Sequence, residues 1–110
     1  MYAHDNQNIE ISYGDKTTMV FEFFEKDNQP KLLNENVLLT VKKNVGDNAA
    51  KLIKTCSCLD SNKAVFVFGP QDFQNLPIGL YFYDLFFENA KFTPFAPKQF
   101  NVAGVIHDVD

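Results

Sequence analysis

Apolar residues recur at every second position along this chain, in one short run after another. In Thr17 to Phe24, the residues Thr17, Met19, Phe21 and Phe23 share one face, and Thr18, Val20, Glu22 and Phe24 share the other. Ile9 and Ile11 alternate with Glu10 and Ser12. Val37, Leu39 and Val41 alternate with Leu38, Thr40 and Lys42. Lys51 to Ser57 is a weaker run, Lys63 to Phe68 puts Phe66 and Phe68 on one face, Gly79 to Glu88 is the strongest, and Lys98 to Val105 closes the set. Turn-forming residues separate the runs at Tyr13-Gly14-Asp15, Lys26 to Pro30, Asn44 to Asn48 and Asp60-Ser61-Asn62. A period of two is the signature of a strand, whose successive side chains point to opposite faces. A helical period is confined to a single turn at Gln71 to Asn75. About seven short strands punctuated by turns predict an all-β fold, a sandwich or a barrel.

One local feature selects between these. Leu76-Pro77-Ile78-Gly79-Leu80-Tyr81 places a tyrosine just inside a strand, after a corner bearing Pro77 and Gly79. In Greek-key sandwiches a tyrosine at the start of the sixth strand folds back and bonds the backbone of the corner. Tyr81 fits that role, with Asp72 to Leu76 as the segment that crosses between sheets; the plainer reading makes it a core aromatic. The expected architecture is an immunoglobulin-like antiparallel β-sandwich.

At 110 residues the chain has the length of one domain. The expected core spans about residues 9–105, between short polar N-terminal and C-terminal tails. A chain this long buries roughly 60–70% of its unfolded surface and needs no metal or disulfide to fold. The net charge is −4 and every basic residue is lysine. With neither a basic stripe nor the arginines that grip phosphate and guanine, nucleic acid is not an expected partner. The sequence has no apolar stretch near the length of a membrane span, and Met1 to Asn8 does not read as a signal peptide.

The chemistry-bearing residues are few. Cys56 and Cys58 share one face of a strand and could begin a zinc site, which needs four ligands. His4 and His107 could add nitrogen, but they stand at opposite ends of the sequence, and the Cys-x-Cys spacing matches no established finger. Two free thiols are the default reading. A nucleophile with a histidine partner is not apparent, and nothing singles out a catalytic pair among the fourteen carboxylates. The sequence therefore predicts no catalytic residue, no metal and no cofactor.

The aromatic excess carries most of the functional content: twelve Phe and four Tyr, with no Trp. In Gly79 to Glu88 one face holds Tyr81, Tyr83, Leu85 and Phe87, and the other holds Leu80, Phe82, Asp84 and Phe86. A sandwich strand with one solvated face should carry polar residues there. Either a partner covers the second face or a loop does, the candidate loop being Phe92 to Phe95. Its prolines, Pro94 and Pro97, keep it out of a central strand. Phe82, Phe86, Phe92 and Phe95 are the residues expected at a protein interface, because aromatics are enriched in interface cores.

These elements, in order, resemble the Ig-like N-terminal domain of upper baseplate and tail proteins from phages of Gram-positive bacteria. The resemblance rests on Gly14-Asp15-Lys16-Thr17, Gln29-Pro30-Lys31-Leu32, Val37 to Lys43, Leu76-Pro77-Ile78-Gly79-Leu80-Tyr81-Phe82-Tyr83-Asp84, and Lys98-Gln99-Phe100-Asn101-Val102. It covers residues 9 to about 105. Lys16 departs from the usual threonine, Pro97-Lys98 replaces a glycine, and the long C-terminal part of those proteins is absent. The resemblance implies a non-catalytic module of a virion, made in the bacterial cytoplasm, that docks to tail proteins or to identical copies. The alternative expectation is a carbohydrate-binding or adhesin-type module that stacks sugars on Tyr2, Tyr13, Tyr81 and Tyr83.

Overall fold

The computed structural model describes residues 2–4 and 8–104, without the side chains of 2–4. Eight strands run in chain order: β1 Tyr2–His4, β2 Ile9–Ser12, β3 Thr17–Phe24, β4 Leu33–Lys42, β5 Leu52–Ser61, β6 Lys63–Phe68, β7 Gly79–Phe87 and β8 Lys98–Ala103. A short 3-10 turn, Pro70–Asn75, links β6 to β7. The strands form two sheets, of order β1-β3-β6 and β2-β8-β7-β4-β5. The fold is all-β.

The two sheets meet across a core built from the alternating residues. Phe21, Phe23, Phe66 and Phe68 face inward from one sheet, and Val37, Leu39, Val41, Tyr81, Tyr83, Leu85, Phe87, Phe100 and Val102 from the other. Three aromatic pairs bridge the layers: Phe23 with Phe87 at 5.0 Å, Phe68 with Phe100 at 5.8 Å and Phe21 with Tyr83 at 6.0 Å. Offset or edge-on rings at such separations add to the gain from burial alone.

Three expectations need correction. Among the described residues the strands number eight, because Tyr2–His4 pairs with Phe24 to Glu22 of β3; three residues are too few to display a period. The larger sheet is mixed, not antiparallel, because β2 runs parallel to β8, with Ile9 opposite Phe100 and Ile11 opposite Val102. Local pattern fixes which face of a strand is apolar, but strand direction depends on the path of the chain between strands. The third correction concerns the turn expected at Asp60 to Asn62. β5 continues through it to Ser61, past a bulge where Leu33 pairs with Ser61 and Asn34 with Leu59. Asp60 is the extra residue there, with φ 49°, and its N–H donates to Asn34 Oδ1 at 2.9 Å. The expected tail Val105–Asp110 and the side chains of His4 and His107 lie outside the described residues.

At the corner before β7 the Tyr81 hydroxyl donates to the Pro77 carbonyl at 2.7 Å. Gly79 opens the strand with φ 156°, a value that side-chain-bearing residues rarely adopt. The ring of Tyr81 is itself buried. Tyr81→Phe keeps that packing and removes the bond, so a loss of about 1–2 kcal/mol is expected in urea unfolding. An unchanged midpoint would mean that the bond adds nothing to the corner.

Candidate interaction surface

The outer face of the larger sheet is built from the residues that alternate with the core. On β7 these are Leu80, Phe82, Asp84 and Phe86; on β4 they are Leu38, Thr40 and Lys42. The register sets Phe86 opposite Leu38, Asp84 opposite Thr40 and Phe82 opposite Lys42. Phe82, Phe86 and Leu38 are half-buried, unlike the inward Tyr83, Leu85 and Phe87, which are at most 1% exposed. A groove of about 280 Å³ opens on this face, with Val45 from the turn after β4 and Thr93 and Pro97 from the loop after β7 in its walls.

Asp84 sits in the groove. Burial pushes its carboxyl above the ordinary value, and the nearby Lys42 partly offsets this. Lys42 spends its ammonium elsewhere, donating to the Asp47 carbonyl at 2.8 Å. Lys43, the other cation expected near Asp84, donates to the Leu80 carbonyl at 3.0 Å and lies over the Tyr81 ring at 4.8 Å. Asp84 thus remains the acidic point in a mostly apolar depression.

The four phenylalanines expected at an interface do not lie together. Phe95 is only 8% exposed and packs edge-on against Tyr83 at 5.8 Å, on the core side of β7. It is a core residue and not an interface residue. Phe92 lies 5.9 Å from the Phe87 ring, in the inward row, and remains 37% exposed. The backbone groups of Phe87 and Phe92 bond each other, at 2.8 and 3.3 Å, and hold the loop in that place. The turn between them is secured by Glu35 Oε1, which accepts the N–H groups of Asn89 and Ala90. The phenylalanines of this loop therefore turn inward instead of covering Phe82 and Phe86. A loop has no periodicity from which their side could be read. Leu38 and Val45 were not singled out from the sequence; the lone apolar residue in a turn of Asn, Gly and Asp is the signal that marks Val45.

The thiols have a structural use. Val65 N–H donates to Cys56 Sγ at 3.3 Å, and Cys58 Sγ donates to the Lys63 carbonyl at 3.4 Å. Both sulfurs thereby occupy backbone groups of β6, an edge strand of the smaller sheet. The two sulfurs are 3.9 Å apart. Burial, and then the neighbouring Cys56, push the Cys58 thiol up to about 12. Because the thiolate is the reactive form, a disulfide reagent at pH 8 is expected to label no more than one cysteine per native chain, and both after unfolding in guanidinium. Rapid labelling of both in the native protein would contradict this burial. Among the described residues, no group of three or more His, Cys, Asp or Glu is placed to hold a metal ion, and no helix is long and apolar enough to cross a membrane.

No protein-family model matches this sequence, and a comparison with curated proteins finds no match.

Proposed function

We propose that this chain is a non-catalytic, immunoglobulin-like docking module of a phage or prophage tail or baseplate, which binds a neighbouring virion protein through the outer face of its larger sheet. The observation that carries the docking reading is the open Phe82–Phe86 groove, which the loop after β7 walls with Thr93 and Pro97 but does not cover with its phenylalanines. Mostly apolar depressions that hold a few polar groups, here Lys42 and Asp84, are characteristic of recognition surfaces. The immunoglobulin-like assignment is supported by strand order. β8-β7-β4-β5 follows the order G-F-C-C′ of variable-type domains, β3 and β6 correspond to the B and E strands, and the Tyr81 bond occupies the corner before β7, the counterpart of the F strand. The sequence resemblance supports the tail assignment.

Of the four tyrosines of the carbohydrate-binding alternative, Tyr81 and Tyr83 are buried in the core, and the side chain of Tyr2 lies outside the described residues. Tyr13, 41% exposed, packs against Phe73 and stands apart from the groove.

The test is co-expression with the proteins encoded beside this one in its genome, followed by size-exclusion chromatography. Co-elution with a tail protein is expected. The Phe82→Thr/Phe86→Thr variant should bind that protein at least ~10-fold more weakly, since aromatic anchors dominate such interfaces. Co-elution with none of them, or unchanged affinity in the variant, would overturn the proposal.

A further inference from the structure

Among the described residues the two sheets have four outer strands. β1 has three residues and β2 four, so both present little edge. β6 has its Val65 N–H and Lys63 carbonyl occupied by the thiols of β5. β5 is different. It spans ten residues, contains no proline, and pairs with β4 on one side alone. A long edge of this kind is a template for another strand. Lys54, whose charge would discourage pairing, is turned inward: it donates to Asp72 Oδ2 at 2.9 Å and lies over the Phe68 ring.

We propose that two copies of this chain pair antiparallel through their β5 edges, about a two-fold axis at Cys56, and so join their larger sheets into one. An axis perpendicular to the sheet sets outward residues opposite outward residues, so it must pass through a residue and not between two. At Cys56 it places Ile53 opposite Leu59 and Thr55 opposite Ser57. The outward row then matches like with like: two apolar pairs flank two hydroxyl pairs, as cross-strand stabilisation requires. Ile53 and Leu59 are 56% and 79% exposed in the single chain, and this pairing buries them against each other. Moving the axis to Thr55 sets Ile53 opposite Ser57 and Lys51 opposite Leu59. Moving it to Ser57 sets Thr55 opposite Leu59 and Ile53 opposite Ser61. Each of these mixes apolar with polar. The ladder closes before Asp60, at the bulge. The same axis turns both Phe82–Phe86 grooves to one side of the joined sheet. The pairing itself does not rest on the docking reading, because it uses a different edge of the molecule.

The paired edge spans only Ile53 to Leu59, so a weak, concentration-dependent dimer is expected. Sedimentation velocity of the whole chain under reducing conditions, from ~5 to ~500 μM, reads it. Two double variants test the register at exposed positions. Ile53→Lys/Leu59→Lys sets lysine opposite lysine, and Ile53→Lys/Leu59→Glu sets lysine opposite glutamate. The second is expected to dimerise at least ~10-fold more tightly than the first. Net charge alone would favour the opposite order, because the double lysine variant moves the parent's −4 toward neutrality. Circular dichroism should leave both variants folded, and Leu59→Glu alone serves should the Ile53 changes disturb β5; it too should weaken the dimer. A parent that stays monomeric throughout, or charged variants of equal affinity, would overturn the proposal.

Discussion

Phe23→Ala is expected to lower stability by about 3–5 kcal/mol, a large share of the total for a domain of this size. The side chain is 0% exposed, and its ring meets Phe87 edge-on at 5.0 Å across the two sheets. Truncation removes the transferred apolar surface and leaves a cavity between layers whose strands are held by their own ladders. β3 is fixed to β6 over six residue pairs and β7 to β4 over six, so neither sheet can close the gap without breaking register. Urea unfolding followed by tyrosine fluorescence measures the loss. A cost below about 1 kcal/mol would mean that the two layers do not meet at this point.

The second large effect is expected at the mouth of the core beside β5. Asp72 Oδ2 accepts both the Gly69 N–H and the Lys54 ammonium at 2.9 Å. The side chains of Lys54 and Asp72 are only 22% and 11% exposed, and Lys54 also lies over Phe68. Asp72→Ala leaves an uncompensated lysine in a partly buried site and an unpaired N–H at the start of the 3-10 turn. A loss of about 2–3 kcal/mol follows, from the stranded charge and the lost hydrogen bond together. Lys54→Met in the same background should recover part of it, since an apolar side chain of similar length suits that site. No recovery would place the cost in the Gly69 bond alone.

The parts of the fold that were legible in the sequence are those set by local alternation. β3, β6 and β7 stand where the period of two put them, and their inward and outward rows are the ones the pattern assigns. Strict alternation over six or more residues leaves only one way to bury the apolar face. The limits of β4 and β5 were less visible. Asn34, Glu35 and Asn36 hide the first turnless stretch of β4, which begins at the buried Leu33, and the bulge at Asp60 imitates a turn. The parallel β2–β8 pair was hidden altogether, because neither strand encodes its partner's direction. At the candidate surface, Phe82 and Phe86 were legible as the second apolar face of β7. Phe95 was not, because a proline-rich loop can present its side chains either way. The thiols of Cys56 and Cys58 were read as free, which they are. Their work as partners for the backbone of β6 depends on a contact between two sheets.

β7 divides its aromatic residues between two faces, with Tyr81, Tyr83 and Phe87 in the core and Phe82 and Phe86 on the outer face that we propose for a partner. Equilibrium urea unfolding of the Phe82→Thr/Phe86→Thr variant tests this division most directly, because threonine keeps the strand preference while removing both rings. A loss of no more than about 3 kcal/mol with an unchanged slope is expected, since both rings keep part of their surface in solvent while the core rings keep almost none. A loss of about 5 kcal/mol or more, the scale of two core phenylalanines, would contradict it.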